Sequence, residues 1–270
     1  MSFSVATWNI NSVRLRIGLV TRLLEHWQPD VLCLQETKCP QGQFPSGPIK
    51  DLGYSHIAEF GQSGYHGVAI VSRLPILASS SRAFCGKEDC RHIQATVDAG
   101  KPVTIHNLYV PAGGDEPDPE INEKFDHKLK FIAELEDWFA QGSVPEGHHG
   151  VVVGDLNIAP LEDDVWGHKQ LLKVVSHTPI ETDGLKRVQA AGQWVDVLRK
   201  HVPVPEKLYT WWSYRAKDWA AADKGRRLDH IWSTAGLAGM SHSIEVLKEA
   251  RGWTQTSDHA PVIARFDLSA

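Results

Sequence analysis

Short apolar runs that end in polar side chains set the pattern of this chain. Val151-Val152-Val153 is a β-branched run that reads as a buried strand; Gly154 then lets the backbone turn, and Asp155 and Asn157 come next with one residue between them. The pattern recurs. Phe3 to Trp8 runs into Asn9, and Val31 to Gln35 runs into Glu36. Arg227-Leu228 precedes Asp229, and Ser257-Asp258-His259 precedes the apolar run Ala260 to Ala264. In an open α/β sheet, ligands bind outside the carboxyl ends of the strands. Polar groups at several strand ends can therefore converge on one cleft. Asp and Asn are also ordinary turn-formers, so each motif taken alone fits a purely structural reading as well.

Helical spacing is confined to a few stretches. Ile17, Val20, Leu23, Leu24 and Trp27 repeat along one face until Pro29 ends the helix, and Phe125, Leu129, Ile132, Leu135 and Phe139 mark a second. Residues 178–192 read as a third. Strands are expected near 54–59, 68–72, 91–97, 103–110, 228–233, 243–248 and 260–267. Several of these lie too close together for parallel crossovers. The expectation is mixed sheets covered by helices, in one domain over residues 1–270. Two loops stand out by charge: an acidic one at 113–120, and a polar one at 213–227 carrying Arg215, Lys217, Lys224, Arg226 and Arg227.

Composition changes this picture in three ways. No apolar run approaches the roughly 20 residues that span a bilayer, and the N-terminus lacks a signal-peptide pattern, so no membrane association and a cytoplasmic location are expected. Four cysteines show no CxxC pair and no zinc-ligand spacing, and are read as reduced thiols. A net charge of −5, from 28 Lys plus Arg against 33 Asp plus Glu, excludes binding to nucleic acid through overall positive charge. A local basic face stays open.

Hydrolysis of a phosphodiester needs an activated water, neutralisation of charge on the phosphoryl oxygens and help for the leaving oxygen, several of which one bound divalent cation can supply. Hard cations take oxygen ligands, and Glu36 with Asn9 nearby suits such a site. Asp258 and His259 are neighbours, and neighbours in a strand point to opposite faces. Asp229, from another strand end, is the better candidate to orient the imidazole and favour its charged form.

Six ordered motifs now carry a resemblance. Trp8-Asn9-Ile10-Asn11, Leu34-Gln35-Glu36-Thr37-Lys38, Asn107-Leu108-Tyr109-Val110-Pro111, Gly154-Asp155-Leu156-Asn157, Arg227-Leu228-Asp229 and Ser257-Asp258-His259-Ala260-Pro261 occur in the order of the exonuclease III family of DNA-repair nucleases. The tract Tyr209-Thr210-Trp211-Trp212-Ser213-Tyr214-Arg215 adds to the likeness, which runs from about residue 3 to 266. It implies a deoxyribonuclease I-like fold, a four-layer α/β sandwich of two packed mixed β-sheets flanked by helices. It also implies a monomeric, Mg²⁺-dependent enzyme, with Mn²⁺ able to substitute, acting on double-stranded DNA as a 3′→5′ exonuclease. The same enzyme would cut 5′ to abasic sites and clear blocked 3′ ends.

By the same resemblance, Glu36 is the principal metal ligand with Asn9 beside it and Asp258 as a neighbouring carboxylate. Asp155 orients and deprotonates the attacking water, and Asn157 contacts phosphate and fixes that aspartate. Tyr109 contacts phosphate or leaving group, and His259, oriented by Asp229, meets the scissile phosphate. Asp155, Asn157, Asp258 and His259 could frame a second metal position. For DNA contact the expectation rests on Trp211 and Trp212 as stacking faces and on Arg215, Lys217 and Lys224 as phosphate partners. The chain departs from relatives at Asn11, where some carry Asp. It departs again at Ala112, where relatives insert a larger polar side chain into DNA. The alternatives are a phosphoesterase of the same superfamily acting on inositol phosphates or phospholipids, and a catalytically silent DNA-binding relative. The first predicts no basic aromatic wall, the second loss of Glu36, Asp155 or His259, all of which are present.

Overall fold

A computed structural model describes residues 2–269. Two six-stranded sheets pack face to face. With strands numbered in chain order, one sheet runs from edge to edge β13 (Ser241–Val246), β14 (Val262–Asp267), β1 (Ser2–Asn9), β2 (Val31–Gln35), β4 (Val68–Ser72), β3 (His56–Phe60). The other runs β5 (Ile76–Ser81), β6 (His92–Asp98), β7 (Pro102–Tyr109), β8 (His149–Asp155), β12 (Asp229–Ser233), β9 (Val195–Asp196). A two-stranded ribbon, β10 (Trp211–Trp212) with β11 (Gly225–Arg226), stands apart. Both sheets are mixed, because the central pairs β1–β2 and β7–β8 are parallel while their outer neighbours are antiparallel.

The apolar runs are continuous because their strands are buried on both faces. Val151 and Val153 point into the layer between the sheets beside Val5, Cys33, Ile70 and Ile105. Val152, between them, faces outward onto Phe131, Ile132 and Leu135 of the helix Glu123–Ala140. On the far side, Ala6, Trp8, Leu32 and Leu34 meet Val20, Leu23 and Leu24 of the helix Ile17–Trp27. The four-layer sandwich results from this alternation.

Two parts of the pattern read differently in space. Strand β5 was not expected, since five of its six residues are exposed and three are serines; it is an edge strand held by β6 alone. The polar loop 213–227 is not all loop, for it holds the short helix Trp219–Ala222 and strand β11. No helix among the described residues is long and apolar enough to cross a membrane.

Candidate active site

The ends of β1, β2, β7, β8 and β12 meet at one edge of the sandwich, where a cleft of about 920 Å³ opens. Asp155 reaches it through a backbone that only glycine allows. Gly154 has φ +138, and a Cβ there would lie 1.9 Å from the Leu108 carbonyl oxygen of the paired strand. Asn157 then takes the left-handed region at φ +53. Its backbone N–H donates to Asp155 Oδ1 at 2.9 Å, and its amide donates to Asp155 Oδ2 at 3.2 Å and to the Val110 carbonyl at 2.8 Å. Glu36, at φ +49 just past β2, is a second left-handed residue, and a less tolerant one.

His259 sits between two carboxylates. Its Nδ1 lies 2.8 Å from Asp229 Oδ2, and its Nε2 lies 3.7 Å from Asp155 Oδ2. Asp229 is itself anchored, since Thr210 Oγ1 donates to the same oxygen at 2.6 Å while accepting from the backbone N–H groups of Leu228 and Asp229. Burial pushes the imidazole down, but the charges of Asp229 and Asp155 outweigh it and raise His259, so the ring holds its proton at neutral pH. Asp155 is raised, first by burial and then by Asp229 and Glu36, against the lowering charge of His259.

Glu36 forms the other half. Asn9 donates its amide to Glu36 Oε1 and to Asp155 Oδ2, both at 2.9 Å, and so struts the two carboxylates apart. Tyr109 donates its hydroxyl to Glu36 Oε1 at 2.8 Å, and Lys38 pairs with Oε2 at 2.9 Å while donating to Asn11 Oδ1. Burial pushes the Glu36 carboxyl up, but Asn9, Lys38 and Tyr109 together hold it below the usual range.

A cation could be sought at two places. Asp155, Asp229 and His259 bring ligand atoms within 4.8 Å of one another. There, however, His259 Nδ1 and Asp229 Oδ2 already bond to each other at 2.8 Å. Glu36 offers a charged oxygen that faces the cleft, with the Asp258 carboxylate lining the same cleft. Carboxylate oxygens are the donors a hard divalent ion prefers. Asn9 and Asn157 donate their amide N–H groups to Asp155 and hold it in place.

The structure thus brings Asn9, Glu36, Tyr109, Asp155, Asn157, Asp229 and His259 together. Asp258 lines the same cleft, its Oδ2 accepting from Trp211 Nε1 at 2.9 Å. Sequence reasoning missed Thr210 as the anchor of Asp229 and Trp166 as a cleft wall, although Thr210 lies within the aromatic tract and was open to notice.

The wall from 211 onward corrects the sequence reading in two places. Successive strand residues face opposite sides, so Trp211 lines the cleft while Trp212 is 2 % exposed and packs on Trp219 and Tyr209, its Nε1 donating to Asp223. One edge of Trp212 reaches the cleft, but no ring face is open for a base to stack on. Arg227 is no surface cation either. It is fully buried and paired with Asp164 and Asp196. Arg215, Lys217 and Lys224 are the exposed cations of the loop; Arg215 and Lys224 line the cleft, and Lys217 lies off it.

Residues 6–259 match the endonuclease/exonuclease/phosphatase family. The chain belongs to that family. It is 29% identical to exodeoxyribonuclease III of Haemophilus influenzae over 96% of this chain and 98% of that one. Its fold superposes on an AP endonuclease from Archaeoglobus fulgidus with a TM-score of 0.90 at 32% identity, covering 98% of this chain and 100% of the other. It also superposes on the 3′ phosphatase NExo from Neisseria, solved with a product DNA hairpin, with a TM-score of 0.89 at 30% identity and the same coverage.

Proposed function

We propose that this family member is a divalent-metal-dependent DNA-repair nuclease. It acts as a monomer in the cytoplasm on double-stranded DNA, cutting 5′ to abasic sites, removing 3′-terminal nucleotides and clearing blocked 3′ ends. The observation that carries the reading is His259 held between Asp229 and Asp155, beside a carboxylate, Glu36, that lines the same cleft. The named relatives act on DNA by the same kinds of cleavage.

Glu36 would hold the ion, with Asp258 as a second oxygen donor; Mg²⁺ fits best and Mn²⁺ would substitute. When bound, such an ion neutralises phosphoryl charge and eases loss of a proton from water. Asp155, fixed by Asn157 and Asn9, takes the proton of the attacking water. His259 donates from Nε2 to a phosphoryl oxygen, and Asp229 with Thr210 keeps the ring in that pose. Tyr109 stands at the leaving-group side through its bond to Glu36.

The test is incubation of a duplex bearing one abasic analogue, and of an intact duplex, with Mg²⁺, Mn²⁺ or excess chelator. Cleavage 5′ to the analogue that needs either ion is the expected result. Full activity in chelator, or hydrolysis of inositol phosphates in preference to DNA, would refute it.

A further inference from the structure

Arg226 and Arg227 are neighbours with opposite circumstances. Arg227 is paired with Asp164 and Asp196, whereas Arg226, partly buried, forms no ion pair among the described residues. One of its terminal nitrogens donates to the Val175 carbonyl at 3.1 Å and the Ser176 hydroxyl at 2.8 Å, which fixes the guanidinium in place. Its Nε is buried without a partner. A desolvated cation with neutral partners is an uncommon arrangement, because buried charges are normally paired.

Strand pairing places this cation next to the reacting centre. Arg226 pairs with Trp211, and Trp211 pairs in turn with His259. Residues directly opposite in antiparallel pairs share a face, and neighbouring strands lie about 5 Å apart. Arg226 therefore stands about 10 Å from His259 in a line across the wall, with its guanidinium 5.3 Å from the Trp211 ring centroid. Trp166, Val174 and Leu228 complete that stretch of the cleft. Among the described residues none of the carboxylates lining the same cleft, Glu36, Asp115, Asp155 and Asp258, pairs with Arg226, and the buried Glu181, whose charge does act on it, is paired with Lys128.

We infer that Arg226 makes this pocket select an anionic group attached to the scissile phosphate, above all the carboxylate of an oxidised sugar remnant at a 3′ end. This rests on the nuclease reading and specifies its substrate. A planar guanidinium suits a carboxylate better than a neutral deoxyribose. The reaction is the same hydrolysis. The oxygen of water bonds to phosphorus, the bond from phosphorus to the 3′ oxygen breaks, and Asp155 takes the water proton. A proton returned to the 3′ oxygen completes a 3′-hydroxyl end, and phosphoglycolate leaves with its carboxylate against Arg226.

The test uses the whole protein with Mg²⁺ and three nicked or gapped duplexes of one sequence. One carries a 3′-phosphoglycolate, one a 3′-phosphate esterified to ethylene glycol, which matches it in size without the carboxylate, and one an internal tetrahydrofuran. The wild type should favour glycolate over glycol in kcat/KM by about tenfold or more, although the protein carries a net charge of −5 that opposes the more anionic end. Arg226→Met should bring that ratio to within about twofold by slowing the glycolate end alone, and Arg226→Lys, which keeps the charge and loses the planar fork, should keep only part of it. A wild type without the preference overturns the inference with no variant needed, as does an Arg226→Met enzyme slowed equally on all three. A wild type that cuts none of them overturns the nuclease reading itself, and this inference with it.

Discussion

On the floor of the cleft, Asp155, Asp229 and His259 are buried, and each is held by at least two named hydrogen bonds or charge contacts. On the wall, Arg215, Lys217 and Lys224 are exposed, and the only fixed partner of these three cationic heads among the described residues is the Trp166 ring, 4.6 Å from Lys224 Nζ. The floor is built on strand ends whose positions are set by two packed sheets. The wall hangs on a two-stranded ribbon and one turn of helix. Chemistry that depends on fractions of an ångström lies on the first, and recognition of a long, forgiving backbone lies on the second.

Substitutions on the floor should therefore cost turnover and leave affinity alone. Asp155→Asn keeps the size of the side chain and removes the base, so kcat should fall by roughly 10²–10⁴. Duplex affinity, measured in Ca²⁺, should hold or rise as repulsion of the phosphate is relieved. A matched loss of affinity and rate would mean that Asp155 binds substrate, and the division between floor and wall would fail.

Beneath the wall lies a second buried ionic group. Burial pushes the Asp164 carboxyl up, but Arg227 and Arg199 outweigh it and hold Asp164 below its ordinary value of 3.8. A depressed carboxylate contributes stability above its unfolded value and loses it as pH falls through the folded one. Asp164→Asn should cost about 3–5 kcal/mol at neutral pH, because it strands Arg227 in the interior. It should also flatten the acid limb of a urea-midpoint profile below about pH 4. An unchanged acid limb would place the acid sensitivity in other carboxylates.

The two tryptophans show how far the sequence could be read. The strand-end residues of the floor were legible because an apolar run fixes where a strand stops, and the polar residues just beyond it must face the edge. The pairing of His259 with Asp229 rather than Asp258 was legible from the two-residue period of a strand. The fate of Trp212 and Arg227 was not, since each depends on partners that strand periodicity does not reveal: the distant Asp164 and Asp196 for Arg227, and the fold of 219–223 for Trp212. Strand β5 was hidden for the opposite reason, an edge position that asks for no apolar residues. The pair can be separated by measurement. Trp212→Ala should lower stability by about 3–5 kcal/mol, as truncation of a buried aromatic does. Trp211→Ala should leave the melting temperature nearly unchanged and weaken binding by about 1–3 kcal/mol per stacked base. Reversed outcomes would put Trp212 on the DNA.

The smallest effect expected is also the one that tests how an acidic protein holds an acidic polymer. With a net charge of −5, Arg227 withdrawn into the interior and Arg226 half-buried, the exposed cations left on this wall are Arg215, Lys217 and Lys224. Each phosphate contact releases counterions, so losing one should flatten the slope of log affinity against log salt by about 0.9 for duplex DNA. Lys224 lines the cleft beside Trp166, whereas Lys217 is exposed away from it. Lys224→Ala should therefore flatten the slope by about one contact, and Lys217→Ala by much less. Binding of an intact duplex over a salt series in Ca²⁺, for the wild type and both variants, reads this directly. Equal changes in the two variants would mean that DNA runs over the outside of the loop rather than along the cleft. No change in either would leave Arg215 as the only exposed cation of this loop in contact with phosphate.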